Sequence, residues 1–194
     1  MGAALGTPAA EPTRSRPLIP SGVLAMLLFV FTESMLFAGF ISAHAIVKAA
    51  ASEWPPANQP VLPFAATMLN TAALFASGIL LVMAHVTYRR RAEQARVPLL
   101  LALLLGAFFV TFQGREWVAL LGQGLTLTSS PYGGFFYVIV GVHALHAVCA
   151  LGGLTWAWLR LRAGRLAPTE LWTVETFWYF VVLVWPLIYF RVYL

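Results

Sequence analysis

Six ionisable side chains sit where an apolar chain should not tolerate them. Glu33 stands in FTESMLFAGF (Phe31 to Phe40), and His143 and His146 stand in GVHALH (Gly141 to His146). Glu116 follows FQGR, Glu175 lies among Val, Thr and Phe, and His44 ends another apolar run. His143 and His146 are three apart and share a helical face, as do Gln113 and Glu116; Glu175 and Tyr179 are four apart. A carboxyl and an imidazole in apolar surroundings can share a proton, hold a polar headgroup or ligate a metal. An ionisable group at a bilayer centre costs at least about 2.5 kcal/mol, so each such residue needs shelter or a task. Interhelical hydrogen bonding alone returns about 0.6 kcal/mol on average, which poorly offsets burying a carboxyl.

The metal reading is the weakest of these. A carboxylate-bridged di-iron centre wants Glu-x-x-His on each of two helices, and no Glu-x-x-His occurs here. Four histidines are too few for a multi-histidine membrane hydroxylase. Two histidines on one helix face cannot clasp both sides of a haem. His44 and His85, nearer the helix ends, read as packed or solvated histidines. Cys149 is the single cysteine and lies in an apolar run. It excludes an intrachain disulfide and is expected to pack as a small apolar group.

The elements that position these residues follow from composition. Of 194 residues, 60% are hydrophobic and 10% charged, with mean hydropathy +0.81. A soluble domain carries roughly 25% charged residues, so the solvent of this chain is largely lipid. Five apolar stretches reach the roughly 20 residues that span a bilayer: Ile19 to Val47, Val61 to Thr87, Val97 to Leu121, Gly133 to Leu159 and Leu171 to Tyr193. The expectation is an all-α bundle of five transmembrane helices over residues 19–194, after a disordered tail over 1–18. The first apolar run is too long for a cleaved signal peptide. Pro186 is expected to kink the fifth helix. Gly134, Gly141, Gly152 and Gly153 are expected to let the fourth approach a neighbour closely.

The net charge of +5 does not make a nucleic-acid binder, because the charges are sorted by loop. Arg14 and Arg16 precede the first span; Arg89, Arg90, Arg91 and Arg96 separate the second from the third; Arg160, Arg162 and Arg165 separate the fourth from the fifth. These three segments share one side of the membrane, so the N-terminus is expected in the cytoplasm and the C-terminus outside. Trp54, Trp117, Tyr132, Trp156, Trp158, Trp172 and Tyr193 fall near span ends, where aromatic rings favour the interface. Counting 1.5 Å per residue, Glu33 lies about 20 Å beyond Pro20, and His143 and His146 about 16 and 21 Å beyond Tyr132. All three are deep in hydrocarbon. Glu116 lies toward the outer face, and Glu175 toward the inner one.

In order along the chain, FTESMLFAGF, WPP (Trp54 to Pro56), LNTAALFASG (Leu69 to Gly78), FQGREW (Phe112 to Trp117), YGGFFYVIVGVHALHAVCALGG (Tyr132 to Gly153) and FWYFVVLVW (Phe177 to Trp185) resemble segments of the haem-copper oxidase subunit III family. The resemblance is collinear from about residue 20 onward. It implies the short five-helix bacterial form, which lacks the first two of seven helices. It also implies an accessory subunit without a catalytic residue, metal, haem or copper of its own. Such a subunit packs on catalytic subunit I, which reduces oxygen, holds phospholipids, and supports stability, oxygen access and proton uptake in a bacterial inner membrane. By resemblance, Glu33 is the family's buried carboxyl, His143 and His146 its histidine pair, Glu116 its third-helix glutamate and Glu175 the glutamate before the closing motif. Those five are the candidate lipid- or proton-linked residues, with Glu33 expected to be protonated and bonded to one of the two histidines. Where the family carries His and Asp in the closing motif, this chain has Tyr179 and Val182. Two other readings are an accessory protein of a nitric oxide reductase system and a small proton-coupled transporter. The second would show repeats or broken helices, and neither is visible.

Overall fold

A computed structural model describes residues 19–56, 59–60, 62 and 64–193. The expected tail over 1–18 lies outside the described residues, as does Val61, the expected start of the second span. Five long helices follow one another: α1 Ser21–Ala50, α2 Phe64–Arg90, α3 Arg96–Gly122, α4 Pro131–Arg162 and α5 Pro168–Ile188. All five are long and apolar enough to cross a membrane, and no strand occurs among the described residues. Each ran as read within a few residues. Helix α2 is described from Phe64.

Local chemistry sets the ends. Ser130 caps α4, its hydroxyl accepting from Gly133 N–H at 3.1 Å, with Pro131 in the first turn where no N–H is needed. Pro168 opens α5 in the same way, and the Glu170 carboxylate accepts from Ala167 N–H at 2.8 Å. The tight α4–α5 connection turns at Gly164, whose φ of +67° is the left-handed conformation that suits glycine. Pro186 lies inside α5 and has no N–H to give. Just beyond it the chain widens into π winding over Tyr189–Tyr193.

Helix α5 is the centre and α1 the edge. In the most apolar stretch of α5, 50% of residues are buried, against 6% for α1. Helix α5 touches α1, α2 and α4, whereas α2 packs chiefly on α3, and α1 rests on α5 and α4. Trp178 and Trp185 of α5 are fully buried among Leu74, Leu81, Phe109, Ile139 and Leu154. Their indoles are tied to α2, Trp178 donating to Ser77 Oγ at 3.0 Å and Trp185 to Thr71 Oγ1 at 2.8 Å.

Close approach falls partly where the glycines predicted. A Cβ on Gly153 would sit 3.3 Å from Val174 of α5, and one on Gly141 3.6 Å from Trp117 of α3. Gly134 faces the Leu127 carbonyl of the preceding loop, and Gly152 faces open space. The closest side-chain contact between helices at a glycine is instead at Gly106 of α3, where a Cβ would meet the Trp178 ring of α5 at 2.6 Å. Cys149 is exposed on the perimeter rather than packed inside, because its helix position turns it away from α3 and α5.

Candidate functional site: three polar clusters in an apolar bundle

The five candidate residues do not converge on one centre. They separate into three clusters at different heights, and His85 joins one of them.

The first lies between α1 and α4. Glu33 Oε2 is 3.1 Å from His146 Nε2, and His146 Nδ1 is 2.7 Å from the Val142 carbonyl. A carbonyl only accepts, so Nδ1 carries a hydrogen. Nε2 of a neutral ring would then be an acceptor, and the proton in the contact must come from the Glu33 carboxyl. The alternative, an imidazolium beside a carboxylate, contains the same number of protons. In either form the hydrogen-bonded pair would hold one shared proton and be net neutral, which suits hydrocarbon. The rings of Phe29, Phe37, Phe177 and Phe180 surround His146, with centroids 5.7–6.3 Å away. The Glu33 side chain retains 20% exposure on the α1 side.

His143 sits one turn along the same face but is not part of the bonded pair. It is 1% exposed, and neither ring nitrogen has a hydrogen-bond partner among the described residues. Phe37, Phe109 and Trp185 enclose it, and it lines a cavity of about 190 Å³ with Gln113 and Trp117.

The second cluster joins α2 and α3. Thr67 Oγ1 donates to Glu116 Oε2 at 3.4 Å. Asn70 Nδ2 donates to the Phe109 carbonyl at 3.2 Å and to Gln113 Oε1 at 3.3 Å, and Gln113 Nε2 donates to Tyr193 Oη at 2.8 Å. Sequence reasoning found Gln113 and Glu116 but missed their partners. The signal was there: Thr67, Asn70 and Ser77 are separated by three and seven residues, one face of a helix.

The third cluster, at the opposite end of the bundle, corrects the reading of His85 as merely packed or solvated. His85 Nδ1 lies 2.7 Å from Glu175 Oε2, and Trp172 Nε1 donates to His85 Nε2 at 3.2 Å while stacking on the ring. Glu175 is bonded to this histidine across the helix interface and not to Tyr179 on its own face. His44 is the packed histidine expected, 2% exposed, against Trp54 and Phe135. Nearby basic residues line the same end: Arg160 pairs with Glu170 at 3.1 Å and lies over Trp156, and Arg162 lies over Trp158.

No group of three or more His, Cys, Asp or Glu side chains among the described residues is placed to hold a metal. The geometry therefore defines a class first: a polytopic helical membrane protein whose buried polar groups are paired across helix contacts. Residues 17–194 match the family of cytochrome c oxidase subunit III. The chain is 30% identical to a probable cytochrome c oxidase subunit 3 of Nocardia farcinica, covering 95% of both chains. It is 32% identical to cytochrome c oxidase subunit 3 of Gallus gallus, over 91% of this chain and 71% of that one. The human subunit 3 is 29% identical over 87% and 67%. The chain belongs to the cytochrome c oxidase subunit III family. It is thus an accessory, non-catalytic subunit of a haem-copper terminal oxidase complex, and its partners are other oxidase subunits.

Proposed function

We propose that this chain packs on catalytic subunit I in a bacterial inner membrane, with its N-terminus in the cytoplasm and its C-terminus outside. There it supplies an apolar wall that holds phospholipids and supports stability, oxygen access and proton uptake. Haem and copper stay in the partner subunits. Glu33, His143, His146, Glu116 and Glu175 are the lipid- or proton-linked residues of that wall.

The observation that carries this reading is the contrast between α1 and its carboxyl. The helix exposes Leu24, Leu28, Phe31, Met35 and Ile46, yet Glu33 on that helix has its Oε2 3.1 Å from His146 Nε2. An apolar surface bearing a partly open carboxyl pair needs cover from lipid and from a larger protein neighbour. Affinity purification of the tagged chain in mild detergent, followed by mass spectrometry, tests it. A haem-copper catalytic subunit should co-purify in equal amount. A monodisperse, solitary polypeptide, or a nitric oxide reductase catalytic subunit in its place, would refute the assignment.

A further inference from the structure

Nine of the twelve Lys and Arg residues fall before α1, about the α2–α3 connection or about the α4–α5 connection. Lys48, Arg115 and Arg191 lie toward the opposite end of the bundle. Lys48, the only lysine of the chain, is in the last turn of α1, and Arg191 is in the π-wound turn that follows α5. That turn touches α1. Neither Lys48 nor Arg191 pairs with a carboxylate among the described residues. Glu33 and Glu175 face histidines, and Glu93 and Glu170 pair with Arg96 and Arg160.

The two cations line one groove of about 490 Å³, together with His44, Ala45, Ala49 and Phe190. His44 is its floor, 2% exposed and packed on Trp54 and Phe135. Ala45 and Ala49 are exposed and one turn apart, so a neighbouring backbone can come close there. Phe190 is 62% exposed, an aromatic side chain of the kind enriched where proteins meet. A cation at a helix C-terminus gains about 0.3–1 kcal/mol from the helix dipole, which accounts for Lys48 taken singly. It does not account for a second cation on the same groove, because like charges repel and neither has a counter-charge here.

We infer that this groove docks an acidic side chain, Asp or Glu, carried by a neighbouring subunit of the oxidase complex at this end of the bundle. The Arg191 guanidinium is a planar fork that matches a carboxylate, and the Lys48 ammonium adds a second positive charge. Complementary charge fixes the register of two subunits more than it adds affinity. The small side chains of α1 admit the partner's backbone, and Phe190 gives it an apolar contact. A free phosphate group carries the same charge but brings no backbone to the face of Ala45 and Ala49. The inference rests on the oxidase-subunit reading and deepens it by naming the chemistry of one contact.

Because Lys48 is the only lysine, a zero-length carbodiimide crosslink reads the contact directly. The reagent activates a carboxyl, and Lys48 Nζ displaces the activating group to leave an amide. The purified complex is treated, digested and read by mass spectrometry. Lys48 should be joined to an Asp or Glu of another oxidase subunit. Arg191→Gln should lower the yield, and Arg191→Lys should add a second crosslink from that position to the same partner segment. Lys48→Gln combined with Arg191→Gln should weaken retention of that subunit about tenfold on dilution, the ratio expected of one charge-assisted hydrogen bond. Arg115→Gln, on a cation outside the groove, should leave retention unchanged. No crosslink from Lys48, or one only to Glu53 of its own chain, overturns the inference. So does loss of bound phospholipid from the double variant with every subunit retained. A catalytic subunit that co-purifies without any crosslink to Lys48 would leave the proposed function standing and remove this contact.

Discussion

At the scale of single residues, the second contact of each histidine decides the state of its glutamate. His146 Nδ1 faces a carbonyl, so a hydrogen bond to Glu33 would need the carboxyl's proton; His85 Nε2 faces an indole N–H, so Nδ1–H donates to Glu175. Inside the phenyl collar around His146, the neutral acid beside a neutral ring avoids separated charge. The purified complex should therefore show a protonated-carboxyl infrared band that disappears in Glu33→Gln, and an unchanged band would count against this assignment. Glu33→Gln keeps a donor for His146, whereas Glu33→Ala strands a largely buried nitrogen. The Ala variant should lose about 1–3 kcal/mol that the Gln variant retains, seen as a lower thermal midpoint.

At the scale of elements, the bundle is built around α5 and its two tryptophans. Trp178 needs a flat place on α3, and Gly106 supplies it, with the ring 2.6 Å from where a Cβ would stand. Gly106→Ala should then push the indole off Ser77 and cost about 1–3 kcal/mol. Gly152→Ala, facing open space, should be neutral or slightly stabilising, since alanine favours the helix. Thermal unfolding of both variants in the same detergent compares them directly, and equal midpoints would contradict the packing. The polar face of α2, from Thr67 through Asn70 to Ser77, acts as a second seam. Each side chain there donates to an acceptor on α3, Thr67 to Glu116, Asn70 to the Phe109 carbonyl and Ser77 to the Ala102 carbonyl at 2.8 Å, and each is fully buried.

At the scale of the whole molecule, charge and exposure set orientation and assembly. The arginine-bearing connections α2–α3 and α4–α5 lie at one end and the α3–α4 loop at the other, as five consecutive spans require. With Cys149 changed to Ser, a Thr128→Cys variant should react with a membrane-impermeant maleimide applied to intact spheroplasts. Ala163→Cys should react only after lysis. The reverse pattern would invert the proposed topology. Helix α1 is mostly unburied, and the proposed assembly covers it with lipid and partner subunits.

The amino-acid sequence by itself determined the five spans and their order, because hydrocarbon allows only helices of a minimum apolar length. It also marked the ionisable residues whose burial needs an explanation, and its ordered motifs pointed to the family. It could not pair them. Glu33 is 113 residues from His146, and His85 is 90 from Glu175, so neither contact has a period to read. Spacing did place His143 beside His146 on one face. Only the packed bundle showed that one ring meets a carboxyl while the other meets aromatic carbon. Which atoms donate is decided by neighbours that arrive from other helices, and that choice, more than residue type, fixes where charge resides.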